Sequence, residues 1–280
     1  MIDLHTHSNK SDGSLSPTEL LNLAKQTGLS AIALTDHDTT AGLSEAIVCG
    51  SQLGIDVIPG VELSCDNNGK DVHIVGLFID YEDTVFASHL NAFVNSRIER
   101  NKKMCAKLTA AGLPVDYDDL CEYCSGSVIT RAHYARYMLS KGYIQSLTEA
   151  FDRYIGDNSP CYVPREKVTP KQGIELILSA GGFPILAHPL LYKMGKDRLD
   201  NLVSELAQCG LMGLEAMYST YTPSDERDMR KLASKYDLTI SGGSDFHGDA
   251  KPGLMLGKGY GNLNIPDAVL EVINIRRNNA

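Results

Sequence analysis

Short apolar runs that end in histidine, aspartate or glutamate recur along this chain, and segments of helical periodicity separate most of them. SAIALTDHD (30–38), DVIPGVELSC (56–65), FPILAHP (183–189), GLMGLEAMY (210–218) and LTISGGSDFH (238–247) all have this form, and DVHIVGLFID (71–80) sets His73 inside a β-branched stretch. An apolar run with a polar tip is how a buried parallel strand reads when its C-terminal end opens on a site. Strands alternating with helices imply a parallel sheet, and polar residues gathered at strand ends imply a barrel mouth used as an active site.

Helix signals fill the intervals. Ser16-Pro17-Thr18-Glu19 is a capping box with Pro in the first turn, and Gly28 closes the apolar stripe of Leu20, Leu21, Leu23 and Ala24. Residues 170–182, 197–209 and 223–236 read as further helices. The rhythm breaks from about Asp83 to Val163, where no convincing buried strand occurs. One long helix is expected there over Asn91 to Ala111, with two more over Ala132 to Ser140 and Leu147 to Tyr154. The expected organisation is therefore a barrel domain from residues 1–82 and 164–280, with a small inserted helical domain, 83–163, capping its mouth.

Six of the eight histidines sit in HTH, TDHD, DVHIVG, AHP and SDFH, at or near expected strand ends. A lone histidine is more often a packed or surface residue than a ligand. Several strand ends converging with His, Asp and Glu point instead to a site for zinc, manganese or iron, in which carboxylates can bridge two ions. The seven cysteines lie outside these clusters, which disfavours a thiolate zinc site. Their odd number and scatter read as reduced thiols of a cytoplasmic protein. Cys121-Glu-Tyr-Cys124 has no second CxxC to complete a zinc site. No run is apolar for long enough to span a membrane, and no secretion signal is expected. A net charge of −9 argues against holding long nucleic acid on a broad basic face, though not against phosphate substrates.

HTHSNKSDGS, LTDHDT, GVELS, DVHIVG, AHP and SDFH resemble, in order, the motifs of the PHP (polymerase and histidinol phosphatase) superfamily. That resemblance implies a distorted (β/α)7 barrel with two to three divalent ions (Mn, Fe or Zn) at the C-terminal strand ends. By the same resemblance His5, His7, Asp12, His37, Glu62, His73, His188, Asp245 and His247 are the metal ligands. Glu62 would bridge two ions, and His37 and His247 would lie around a third. Asp12 also reads as a plain Ser-Asp-Gly turn residue. As a ligand, aspartate at this position points to the phosphoesterase branch with an inserted domain. Asp36 or Asp38 is expected to orient the His37 ring, and Glu215 to be a supporting or structural residue.

The reaction this implies is phosphoester hydrolysis by a hydroxide bridging the ions, with Asp245, His188 and His247 at the reacting atoms and a histidine, His188 or His247, or a metal-bound water as the proton donor. Two basic clusters lie in the insertion, Arg97/Arg100/Lys103 and Arg131/His133/Arg136. Taken alone they fit a solvated helix face. RIERN and TRAHYARYML, however, resemble the insertion motifs of nucleoside 3′,5′-bisphosphate phosphatases. That resemblance makes Arg100, Arg131 and His133, and more weakly Arg97 and Lys103, contacts to the phosphate that is not cleaved. YVPRE around Arg165 resembles the same group, or is a hinge back to the barrel. The expected activity is removal of the 3′-phosphate from a pAp-like bisphosphate. A 5′→3′ exonuclease acting on short oligonucleotides, a histidinol-phosphate-type phosphatase and a non-catalytic metal-binding module are the alternatives. A small phosphorylated nucleotide or short oligonucleotide is the expected partner, and no obligate protein partner is inferred.

Overall fold

The computed structural model describes residues 1–124, 127–157, 159–164 and 168–279. Seven strands follow one another in a single sheet: β1 (Ile2–Thr6), β2 (Ala31–Leu34), β3 (Asp56–Asn67), β4 (Lys70–Leu77), β5 (Phe183–Leu186), β6 (Gly213–Tyr218) and β7 (Thr239–Gly243), each paired with the next in sequence order. Beyond β7 the chain returns to β1: the Asp245 N–H donates to His5 O at 2.9 Å and the His7 N–H to Phe246 O at 2.9 Å. These bonds nearly close the sheet into a barrel.

One strand departs from the parallel expectation. β3 and β4 form a hairpin, with Asn67 opposite Lys70, and β4 runs antiparallel to both β3 and β5. The turn residues Asn68 and Gly69 both have positive φ, 54° and 82°. That is the two-residue turn whose twist matches paired strands and which favours Asn-Gly. The reversal brings the beginning of β4, with His73, to the same barrel end as the C-terminal ends of its neighbours.

Alternation along the strands separates two apolar layers. Ile2, Leu4, Ala31, Ala33, Ile58, Val75, Leu77, Phe183, Ile185 and Met217 fill the interior, joined by Val269 and Ile273 of the last helix. On the outer face Ile32, Leu34, Val61, Leu63 and Ile74 pack against helices. These are α1 (Pro17–Thr27), α2 (Leu43–Leu53), α7 (Pro170–Ser179), α8 (Lys196–Gln208) and α9 (Pro223–Lys235), whereas α10 (Asp267–Asn278) is the last helix that joins the interior layer. The α1 capping box between Ser16 and Glu19 is formed, and Gly28 ends the helix at φ 80°.

Between β4 and α7 lie α3 (Thr84–Ala110), α4 (Tyr117–Tyr123), α5 (Arg131–Ser140) and α6 (Leu147–Ala150), the last continuing as a π-helical turn over Phe151–Ile155. α3 begins earlier than its periodicity predicts, because the Asp83 carboxylate accepts from Val85 N at 2.7 Å and caps the helix there. The front of α3 (Phe86, Leu90) packs into the outer barrel layer. Its far half (Met104, Leu108) joins Leu120, Tyr134, Tyr137, Met138 and Ile155 in a separate core. One helix thus belongs to both bodies. No helix among the described residues is long and apolar enough to cross a membrane.

Candidate metal centre

Glu62 stands at the middle of the barrel mouth, about 1% exposed. Its Oε2 is 3.3 Å from His5 Nε2, 3.3 Å from His7 Nε2 and 3.0 Å from His37 Nδ1. Its Oε1 is 2.8 Å from His73 Nδ1 and 3.0 Å from His188 Nε2. Asp245 Oδ1 lies 3.2 Å from His7 Nε2 and 3.3 Å from His247 Nδ1, and Asp12 Oδ1 lies 3.1 Å from His247 Nε2. All nine expected ligand residues therefore meet in one place. They draw on β1, β3, β4, the segments just beyond β1, β2, β5 and β7, and the longer loop after β1 that carries Asp12.

Several short approaches are poor hydrogen bonds. His5 Nε2, both nitrogens of His7, Asp12 Oδ1, His37 Nδ1 and His188 Nδ1 are buried with no hydrogen-bond partner of acceptable geometry. Lone pairs of buried imidazoles and carboxylates aimed at shared points, rather than at each other, are what a cation requires. Four groups have ligand atoms close enough to share an ion: His7/Asp12/His37/His247, His5/His7/Asp245, His5/Glu62/His188 and His37/Glu62/His73. The residues present fit divalent metals, and these groups overlap as bridged ions would need.

The surroundings fix ring orientation. His5 Nδ1 faces Glu215 Oε1 at 3.1 Å and His247 Nδ1 faces Asp245 O at 2.8 Å, which leaves the Nε2 of each ring directed into the cluster. Tyr218 Oη donates to Asp245 Oδ2 at 2.6 Å, and Lys251 Nζ reaches the same oxygen at 2.5 Å. His188 and Asp245 hold left-handed backbone, φ 30° and 54°, as does Asp38 at 54°. Non-glycine residues take this conformation at a cost of order 1–3 kcal/mol that the surrounding structure must offset.

Electrostatics favour anionic carboxylates. Burial alone would raise Glu62, but His37, His73 and His5 hold it well below the usual carboxylate range. Asp12 is likewise held down against burial by His37 and His247. Burial raises Asp36 to about 6, although Ser11 and Ser8 donate to it.

Beside the cluster a cavity of about 160 Å³ is lined by Asp12, His37 and His73 on the barrel side and by Arg97, Arg100 and Arg131 on the insertion side. Arg97 pairs with Asp38 and donates to Ser64 Oγ at 3.2 Å, so it ties α3 to the barrel as well as facing the cavity. Arg131 pairs with Asp157 at 2.7 Å and lies over the Tyr162 ring at 5.3 Å. Lys103 is exposed on α3 and does not line the cavity. His133 lines a different cavity, with Arg136. Its Nδ1 accepts from Thr130 N at 3.0 Å, and burial lowers it to about 4, so it offers no positive charge at neutral pH.

The expectation for Asp36 and Asp38 is corrected. Asp36 accepts from Ser8 Oγ and Ser11 Oγ, each at 2.6 Å, and Asp38 takes Ser64 N at 2.9 Å, so each carboxylate is engaged elsewhere than at the His37 ring. Arg165 lies outside the described residues. Sequence reasoning passed over Asp71, Tyr162, Phe151 and Thr130, which also line the cavity, and Lys251 and Tyr218, which hold Asp245. The Asn-Gly turn was the available signal for Asp71, since folding β4 back places it opposite Asp66 near the mouth.

Comparison with known proteins agrees with this geometry. The PHP domain model matches residues 3–249. The chain is 34% identical over 257 residues to the 3′,5′-nucleoside bisphosphate phosphatase of Chromobacterium violaceum, covering 91% of this chain and 90% of that one. It is 38% identical over 270 residues to a 5′-3′ exoribonuclease of Haemophilus influenzae, covering 96% and 97%. A solved structure described as an amidohydrolase from C. violaceum, with bound sulfate and no metal, superposes with a TM-score of 0.89 at 33% identity, covering 98% and 96%. The chain belongs to the PHP domain family and is a metal-dependent phosphoesterase, a hydrolase of phosphate esters.

Proposed function

We propose that this enzyme removes the 3′-phosphate from nucleoside 3′,5′-bisphosphates, with residues 1–82 and 164–280 as catalytic barrel and 83–163 as a substrate-holding cap. The observation that carries this reading is the single cavity shared by the histidine–carboxylate cluster and the guanidinium groups of Arg97, Arg100 and Arg131. A substrate with two phosphates spans such a cavity, one at the cluster and one against the insertion. Planar guanidinium groups suit the second phosphate. The likeness to a bisphosphate phosphatase over nine-tenths of both chains supports the same assignment.

His5, His7, Asp12, His37, Glu62, His73, His188, Asp245 and His247 would hold the ions, which supply Lewis acidity and a nucleophile from water at neutral pH. Glu62 turns Oε2 toward His7 and Oε1 toward His188, and would be the carboxylate shared between ions. Glu215 keeps the His5 proton on Nδ1, and Tyr218 with Lys251 fixes the outer oxygen of Asp245. Arg131 and Arg100 orient the phosphate that stays. A proton for the departing hydroxyl would come from water at the ions, or from His188 or His247 wherever one of them is not engaged as a ligand.

The greater identity to an exoribonuclease favours a second reading, release of mononucleotides from the 5′ end of short RNA held by its 5′-phosphate. Purified protein with Mn²⁺ is assayed against pAp, histidinol phosphate, p-nitrophenyl phosphate and 5′-phosphorylated oligonucleotides. Rapid phosphate release from pAp supports the first reading. Mononucleotide release from oligonucleotides without turnover of pAp replaces it with the second.

A further inference from the structure

Asp12 differs from the other carboxylates of the cluster in how it is supported. Glu62 lies within β3 and Asp245 follows β7 directly, whereas Asp12 sits on a loop well beyond the end of β1. From the barrel side, Asp36 holds Ser8 and Ser11 of that loop. The segment after β7 adds a bond from Ser14 N to His247 O at 3.0 Å, and on the other side the insertion grips the loop. Ser127 Oγ lies 2.5 Å from Asn9 O and 2.6 Å from Cys124 O, its one proton shared between them, and Val128 N donates to Lys10 O at 3.1 Å. Thr130 Oγ1 donates to Asp12 Oδ2 at 3.1 Å, and both terminal nitrogens of Arg136 donate to Asp12 O at 3.2 Å.

We propose that the insertion segment from Ser127 to Arg136 is a clamp that sets the position of Asp12, so that ion occupancy of the His7/Asp12/His37/His247 group depends on the insertion. Arg136 is a positioning residue here, since it touches the Asp12 backbone and not the cavity beside the cluster. A guanidinium on a carbonyl is a charge-assisted bond, and it holds the loop without consuming the Asp12 side chain. The groups centred on Glu62 are carried by strands and strand ends, and only His37 is shared between them and the Asp12 group. The inference rests on the metal-dependent reading of the site. Its consequence is that the cap not only grips substrate but also completes one ion site of the barrel.

Mn²⁺ binding to the full chain, followed by calorimetry and by electron paramagnetic resonance of free Mn²⁺, tests this without turnover. Arg136→Ala is expected to weaken one class of site by about tenfold, the scale on which supporting contacts tune metal ligands, and to leave the others unchanged. Arg136→Lys should recover part of the loss. In an Asp12→Ala background, Arg136→Ala should have no further effect. Should Arg136→Ala fail to fold, Ser127→Ala reports on the same loop with a smaller cavity cost, and amide exchange over residues 9–13 should quicken in it. Equal weakening of all sites, or an undiminished Arg136→Ala effect in the Asp12→Ala background, overturns the clamp. Absence of saturable Mn²⁺ binding in the unmodified protein overturns the metal reading itself, and the clamp with it.

Discussion

Glu215 links two strand ends: its Oε1 lies 3.1 Å from His5 Nδ1, while its Oε2 accepts the His188 backbone N–H at 2.6 Å. One buried carboxylate therefore fixes both a histidine tautomer and the left-handed turn that presents His188. Glu215→Ala should lower metal affinity by roughly 10–100-fold, as loss of such supporting partners does. It should also cost about 1–3 kcal/mol of stability through the unpaired His188 N–H. Metal content after dialysis at fixed free Mn²⁺ and a thermal melt measure the two effects. A melt shifted downward with metal affinity unchanged would assign Glu215 to the fold alone.

Arg131 offers a separation between the two ends of the substrate. Its guanidinium lies over Tyr162 and pairs with Asp157, on the insertion wall of the cavity. A charge-assisted contact to phosphate contributes about 1.5–3 kcal/mol. Arg131→Ala should therefore raise KM for pAp by roughly 10–100-fold, with p-nitrophenyl phosphate turnover changed about threefold at most. Equal losses on both substrates would place Arg131 at the reacting phosphate or in the fold.

Barrel and ligands were legible in the sequence for a physical reason. A strand buried on both faces must be apolar throughout, so a histidine or carboxylate at its tip stands out against the run. The α1 boundaries were equally plain, because the Ser16–Glu19 box and Gly28 are local signals. The β4 reversal was written in Asn68-Gly69, but a strict alternation of strand and helix masks a hairpin. Asp38 illustrates what cannot be read locally. Its partner Arg97 lies on α3, across the interface between insertion and barrel, and nothing in TDHDT announces it. Arg136 and the Asp12 loop are a second such pair, far apart in sequence and joined only in the folded chain.

Barrel closure depends on a residue without a side chain. A Cβ on Gly243 would come within 2.7 Å of the His5 backbone nitrogen and nearer still to His5 Cβ. These are the backbone and stem of the first strand, which cannot rotate out of the way. Gly243→Ala should therefore destabilise the protein by about 3 kcal/mol, at the upper end of overpacking costs. It should also displace His5, with metal affinity falling alongside. Urea unfolding monitored by circular dichroism gives the first quantity, and an unchanged midpoint would mean that β1 and β7 do not close as described.

The cysteines give a test of the insertion core that does not involve the active site. Cys49, Cys65, Cys105, Cys124 and Cys161 are buried, while Cys121 and Cys209 are partly exposed. Burial pushes the Cys124 thiol up to about 12, and the thiolate is the reactive form. At pH 8 Cys124 is therefore almost wholly protonated in the native protein, and its reactivity should climb only as the pH approaches 12 or the insertion opens. Native protein treated with a disulfide reagent at pH 8 should therefore modify Cys121 and Cys209 rapidly, with the five buried thiols following only on addition of guanidinium. Rapid modification of Cys124 alongside Cys121, located by peptide mass analysis, would show that the CEYC segment is open to solvent.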